Sequence, residues 1–273
     1  MAARRPPAAR AAALMLVLTL AMLANASVAP ALEYGGEGRG TPLAPFPSSG
    51  SIADAERFLA TRAGRTSLAI MDSSGHVSGV RLHEHFETAS VVKVMMLTAY
   101  LQMLAARHRS LDSFDTSLLY PMIHISDNNA ASAVYAIVGE GAIARVAREA
   151  GMGDYAPSPV WWAYTQSSAI DQARFFSMLG RLIPQRFYGY ARYLMSTIEP
   201  SQSWGIPQAA RPGWQVFFKT GALPEEGLFN EAALLERGPR RFTVAVFTEH
   251  DPSLGYGEET IEGVGAALVE HAP

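Results

Sequence analysis

The hydrophobic and polar positions of this chain change period several times, and each change marks an element. Residues 33–50 (EYGGEGRGTPLAPFPSSG) have no period and are rich in Gly, Pro and Ser, which reads as a linker. Ile52, Ala55, Phe58 and Leu59 then recur at helical spacing and predict a helix over 52–62. A β-like run over 66–72 turns at Ser73-Ser74-Gly75 into a second run over 76–82, which predicts a hairpin. The stretch 90–108 is largely apolar at helix length, so it predicts a buried helix. Helical spacing continues over 127–138 and 142–150, parted by Gly139, and over 170–183 and 188–197. Strand-like runs return at 214–220, 228–236 and 242–250, and a helix over 258–271 follows. Two strands, then helices, then three strands and a helix predict an α+β fold. Its antiparallel sheet would come from both chain ends, flanked by helices, with an all-helical lobe inserted.

The apolar block before the linker changes the picture of where the protein works. Arg4, Arg5 and Arg10 precede an apolar stretch over 11–23, and small-residue sites follow at 24–26 and 29–31. This order predicts a cleaved signal peptide over 1–31, a linker over 32–50, and one folded domain over 51–273. The expected location is therefore secreted or cell-envelope. The chain has 273 residues, 49% of them hydrophobic and 17% charged, which suits a folded domain rather than a disordered one. A net charge of -3 with scattered basic residues predicts no nucleic-acid partner. There is no cysteine, so disulfides and thiolate metal sites are excluded. His83 and His85 form an HxH pair with no third histidine nearby, and two polar residues at a strand end is the favoured reading over zinc. No phosphate-cradling glycine motif is present, and neither a cofactor nor a metal is expected. A monomer is expected.

Among 20 arginines the chain carries only two lysines, Lys93 and Lys219. Arginine stays protonated in proteins, whereas a buried lysine can lose its proton and act as a base. Lys93 lies three residues after Ser90 in Ser90-Val91-Val92-Lys93, so on a helix the hydroxyl and the amine face the same way. A serine becomes a strong nucleophile when a base takes its proton. Lys219 opens Lys219-Thr220-Gly221 at a strand end, where glycine would let a substrate backbone come close. Ser126-Asp127-Asn128 lies between them and opens a helix. SxxK alone is a weak signal; the three motifs in this order, using both lysines, are a strong one.

At these residues the chain resembles the class A β-lactamases and penicillin-recognising DD-peptidases, whose motifs are S-x-x-K, S-D-N and K-T-G. The 86–89 lead-in (FETA), Trp214 five residues before Lys219, and 261–268 (IEGVGAAL) are also similar to that family, over about residues 52–271. The resemblance implies a β-lactamase/DD-peptidase-like fold with Ser90 as nucleophile and Lys93 as proton acceptor. It implies that Ser126 passes a proton to the leaving nitrogen and that Lys219 supports this relay and attracts a substrate carboxylate. Asn128 would bind a substrate amide and Thr220 the carboxylate. Gly221 would flank the substrate, and the N–H groups of Ser90 and Ala222 would form the oxyanion hole. Asp127 would hold its turn.

Three departures qualify this. The Ser90–Ser126 interval is short, so one cleft wall should be cut back. Residues 153–168 contain no glutamate, only Asp154, where class A enzymes carry a deacylating glutamate. Phe229 stands where the family has a carboxylate-binding arginine, with Arg211 a weak substitute. The leading expectation is a serine hydrolase opening β-lactam amides through a Ser90 acyl-enzyme with slow deacylation. The alternatives are a D-Ala-D-Ala carboxypeptidase or other cell-wall amidase or esterase acting on peptidoglycan stem peptides, and a penicillin-binding module without turnover. Trp161, Trp162 and Tyr164 line a groove or pack a loop. Glu225 and Glu226 form an exposed turn or face the cleft, and His124 is structural.

Overall fold

The structure, a computed structural model, describes residues 46–210 and 212–269. The signal peptide (1–31), most of the linker (32–50) and Arg211 lie outside the described residues. Helix α1 (Ser49–Ala60) begins before Ile52, within the stretch that reads as linker. Ser48 explains the early start: its hydroxyl accepts the Ser51 N–H at 3.1 Å as an N-cap. Strands β1 (Arg65–Asp72) and β2 (Val77–Val80) form the expected hairpin. Strand β3 (Phe86–Glu87) leads through a 3-10 turn (Ala89–Val92) into α2 (Lys93–Ala106). Then come α3 (Ser113–His124), α4 (Asn128–Val138), α5 (Glu140–Glu149), a 3-10 turn (Trp162–Tyr164) and β4 (Gln166–Ser167). Next are α6 (Ala169–Ser177), α7 (Leu179–Leu182), α8 (Gln185–Ser196) and α9 (Ile206–Ala209). Strands β5 (Gln215–Leu223), β6 (Leu228–Arg237) and β7 (Arg240–Glu249) precede α10 (Leu254–Val269).

The sheet runs β2-β1-β7-β6-β5 with antiparallel neighbours, and β3 pairs separately with β4. The β1–β7 pairing, from Arg65 opposite Glu249 to Asp72 opposite Phe242, joins the two ends of the chain as the sequence predicts. Strands β6 and β7 are buried almost end to end, because helices cover both faces of the sheet. Side chains alternate between the faces. On one face a Cβ at Gly257 of α10 would meet the Phe229 ring at 2.2 Å. On the other face, the Thr243 hydroxyl of β7 donates to Ala173 O of α6 at 2.8 Å. The same alternation places Lys219 and Gly221 on the α6 face, and Thr220, Phe229 and Glu231 on the α10 face.

Helix α2 is buried nearly all round, against α4 and α5 among others. The segment Ala89–Ala106 is long and apolar enough to cross a membrane, but here it is a core helix. Each buried Leu or Met contributes roughly 1.5–3 kcal/mol of transfer free energy, which offsets the cost of placing Lys93 in the same helix. Besides the early start of α1, further features depart from the expected pattern, and the short α9 has no counterpart in it. Residues 170–183 break at Met178 into α6 and α7. Helix α3 was not expected at all. It opens on a reciprocal capping box between Asp112 and Asp115 and carries Pro121 internally.

Candidate active site

The lead-in to Ser90 is fixed from two sides. Strand β3 pairs with β4, Phe86 to Ser167 and Glu87 to Gln166, and the Thr88 N–H donates to Thr165 O at 2.8 Å. Strand β5 closes the other side. A Cβ on Gly221 would lie 2.7 Å from Thr88 O and 2.9 Å from Ser90 N. Gly221 is thus needed because the chain's own backbone at Ser90 comes close, a reason the sequence reading did not give. The contact brings the Ser90 N–H beside the strand segment that carries Ala222.

Ser90 is half-buried, and its hydroxyl makes no hydrogen bond among the described residues. Lys93 is fully buried and turned to the loop before α4. Its Nζ lies 2.5 Å from Ser126 O, 2.8 Å from Asn128 Oδ1 and 3.1 Å from Ser126 Oγ. All three oxygens are placed to accept from the Lys93 amine: the Ser126 carbonyl, the Asn128 side-chain carbonyl and the Ser126 hydroxyl. Burial first, and the nearby Lys219 charge second, bring the Lys93 amine down to about 6 from its ordinary 10.5, although Asp127 pulls the other way.

Ser126 reaches this position at a backbone cost. Its φ is 58°, and Ala89, just before Ser90, has φ 46°. A non-glycine residue held there costs of order 1–3 kcal/mol. Asp127 holds the turn as expected: its carboxylate accepts the Ala130 N–H at 2.6 Å and caps α4.

Lys219 is fully buried and donates to its neighbour's carbonyl, Thr220 O, at 2.9 Å. Burial lowers its amine to about 7, and the charge of Glu231 works against that fall. Glu231, also fully buried, is raised well above the carboxylate range by burial, although the Ile206 N–H at 3.0 Å and Lys219 favour its charge. Both groups are thus pushed toward their neutral forms. Thr220 is buried, and its hydroxyl donates to Gln202 O at 3.2 Å. The structure therefore groups Lys93 with Ser126 and Asn128, and sets Gly221 against Ser90. Thr220 faces the other side of the sheet from Lys219.

The loop residues divide clearly. Trp162 is 5% exposed, and its ring centroid lies 5.0 Å from Lys93 Nζ. Its indole N–H donates to Ser132 Oγ of α4 at 3.1 Å. Trp161 packs on Trp162 and Tyr164 and, with Tyr164, against the cluster of Ala89, Leu223 and Leu228. Asp154, the only acid in this loop, accepts from Ser168 Oγ at 2.7 Å and sits 2.8 Å from His83 Nδ1 and 3.8 Å from His85 Nε2. Burial works to raise Asp154, but these hydrogen bonds and the two histidines hold it below its ordinary value. The HxH pair thus meets a carboxylate. Among the described residues no group of three or more His, Cys, Asp or Glu could hold a metal ion.

Two carboxyls escaped the sequence reading. Glu87 is raised to about 7, first by burial and then by Glu226 against it. Glu225 is exposed and Glu226 half-buried, in a 3-10 turn after β5. Glu231 gave no signal either, since a lone glutamate within a strand pattern resembles a surface position. His124 stacks on Tyr120 at 4.6 Å, and its carbonyl accepts the Glu199 N–H. A cavity of about 620 Å³ between the β1–β2 turn and the end of α6 contains none of the motif residues.

A sheet built from both chain ends, a helical lobe, and a buried lysine between a serine turn and a helix define the β-lactamase-like fold. The solved structures agree. The fold is similar to a β-lactamase from Sphaerobacter thermophilus, 23% identical with a TM-score of 0.71, covering 81% of this chain and 96% of that one. A representative of class A β-lactamase from Bacteroides cellulosilyticus is 16% identical with a TM-score of 0.74, covering 82% and 98%. The structure named PBP-A is 16% identical with a TM-score of 0.69, covering 81% and 95%. No curated protein matches the chain. The model of the β-lactamase enzyme family matches residues 116–272, more than half of the chain, and the protein belongs to that family. The matched region holds the Ser126 and Lys219 motifs and begins after Ser90 and Lys93.

Proposed function

We propose that this protein is an exported serine hydrolase that opens β-lactam amides through an acyl-enzyme on Ser90 and releases the product slowly. The observation that carries this reading is Lys93: fully buried, brought down to about 6, and bonded to Ser126 and Asn128. A lysine that is neutral at pH 7 accepts a proton, whereas a surface cation does not. Ser90 Oγ attacks the amide carbonyl carbon and its proton passes to Lys93. The carbon–nitrogen bond breaks, and the leaving nitrogen takes a proton from Ser126, which Lys93 resupplies. Lys219 supports this relay and attracts a substrate carboxylate. The N–H groups of Ser90 and Ala222 bind the oxyanion, each such donor typically lowering the barrier by about 2.7–4 kcal/mol. Asn128 binds the substrate amide, and binding of the carboxylate by Thr220 would require the edge strand β5 to shift, because its buried hydroxyl donates to Gln202 O on the other face. Water then hydrolyses the ester.

A second reading, a D-Ala-D-Ala carboxypeptidase acting on wall stem peptides, uses the same acylation steps. It is favoured by the hydrogen bonding around Lys93: among the described residues no carboxylate bonds its amine, Asp127 caps α4, and Asp154 is held by Ser168 and His83. Labelling with a fluorescent penicillin tests the shared step. Wild type should take up the label and Ser90→Ala should not; equal labelling would remove Ser90 from the reaction. Release of D-alanine from a stem peptide, faster than opening of a penicillin, would decide for the peptidase.

A further inference from the structure

We propose that Trp162 decides the fate of the Ser90 acyl ester by keeping water out of the space beside Lys93. This rests on the acyl-enzyme reading and concerns only its second half. Hydrolysis needs a water whose oxygen attacks the ester carbon while its proton passes to a base within hydrogen-bond reach. The bond from that carbon to Ser90 Oγ then breaks, and the serine oxygen takes a proton back. Lys93 is a base of this kind, but its surroundings are full. Ser126 O, Ser126 Oγ and Asn128 Oδ1 take its polar contacts. An indole ring packs beside it, 5.0 Å away.

The indole is held in place. Trp162 is 5% exposed, Ser132 Oγ fixes its N–H, and Trp161 leans on it with 5.0 Å between ring centroids. Behind it the Thr165 N–H donates to Trp162 O at 3.2 Å, and Thr165 O accepts from Thr88 at the nucleophile's own lead-in. A buried water needs two to four polar partners. The ring's one polar atom is spent on Ser132, so the face toward Lys93 offers none. Trp162 acts through the water it excludes and is a positioning residue.

The test separates the two half-reactions. Acylation and deacylation rates are measured with one penicillin by stopped flow and intact mass, for wild type, Trp162→Phe, Trp162→Ala, Trp162→Glu and Ser132→Ala. Trp162→Phe, which keeps a ring in place, should keep the long-lived adduct. Trp162→Ala and Trp162→Glu should still acylate but lose the adduct at least about tenfold faster, within the roughly 10²–10⁴ range of a base-assisted step. Deacylation of Trp162→Glu should also rise with pH as the new carboxyl ionises. Equal adduct lifetimes in the Phe, Ala and Glu variants, with acylation intact, overturn the proposal. If the Ala and Glu variants fail to fold, Ser132→Ala decides, because a loosened indole must shorten the lifetime and an unchanged one overturns the proposal. Failure of wild type to acylate would instead remove the reading beneath it.

Discussion

Lys93 and Arg57 show why residue type matters more than charge here. Arg57 sits exposed beside Asp54 on α1, while Lys93 has no exposed surface and three oxygens around its nitrogen. Lys93→Arg should therefore be as harmful as Lys93→Ala, each slowing acylation by about 10²–10⁴. Single-turnover acylation checks this, and a near wild-type rate for Lys93→Arg would reduce Lys93 to a charge. The same chemistry sets the pH profile. Acylation needs Lys93 neutral, so it should rise with pH through about 6. It should fall above about 7 as Lys219 loses the charge that draws in a carboxylate. The two amines interact, so the limbs belong to the pair. A rate that stays flat from pH about 5 to about 8 would contradict both assignments. Gly221→Ala should lower kcat for acylation, because its Cβ would press on Ser90 N and Thr88 O.

At the scale of elements, the turn into α4 presents Ser126 and the first residue of α4, Asn128, to Lys93, with Asp127 between them as the helix cap. Asp127→Ala should cost about 1 kcal/mol of stability and also weaken acylation, read as a lower urea midpoint with an unchanged slope and a slower burst. Loss of activity without loss of stability would give Asp127 a direct role. Most of these elements were legible in the sequence. The hairpin, the buried α2 and the three late strands are each rich enough in apolar residues to show as elements. Helix α3 was not, for a physical reason: it exposes Phe114 and Tyr120 while burying Leu119, Met122 and Ile123, so apolar residues fall on every side. Pro121 adds a further misleading signal. The motif residues were legible because two lysines stand out among arginines. The placement of Trp162 was not, because a loop aromatic has no period to say what it packs against. Glu231 was hidden because its partners, Lys219 and Ile206, lie on other segments.

The whole molecule carries two buried amines in one core, and its stability should reflect them. Lys93 is held near 6 against an ordinary 10.5, so the unfolded chain binds more protons between those values. Stability should therefore rise with pH across that window, and the penalty is complete below about 6. Each pH step across that window is worth about 1.4 kcal/mol. Lys93→Met removes both the penalty and the three hydrogen bonds to Ser126 O, Ser126 Oγ and Asn128 Oδ1, and only the penalty depends on pH. The stability of wild type relative to Lys93→Met should therefore rise with pH, read as urea midpoints at several pH values. A difference between the two that does not change with pH would mean that Lys93 is buried at no cost. The central claim is that this fold uses Ser90 to form an ester that it releases slowly. Intact-protein mass spectrometry at successive times after mixing with a penicillin tests it most directly. The account predicts one added penicillin mass on wild type, mapped to the peptide holding Ser90, absent from Ser90→Ala and decaying over many minutes. Rapid turnover with no adduct at the earliest time, or an adduct that survives in Ser90→Ala, would contradict it.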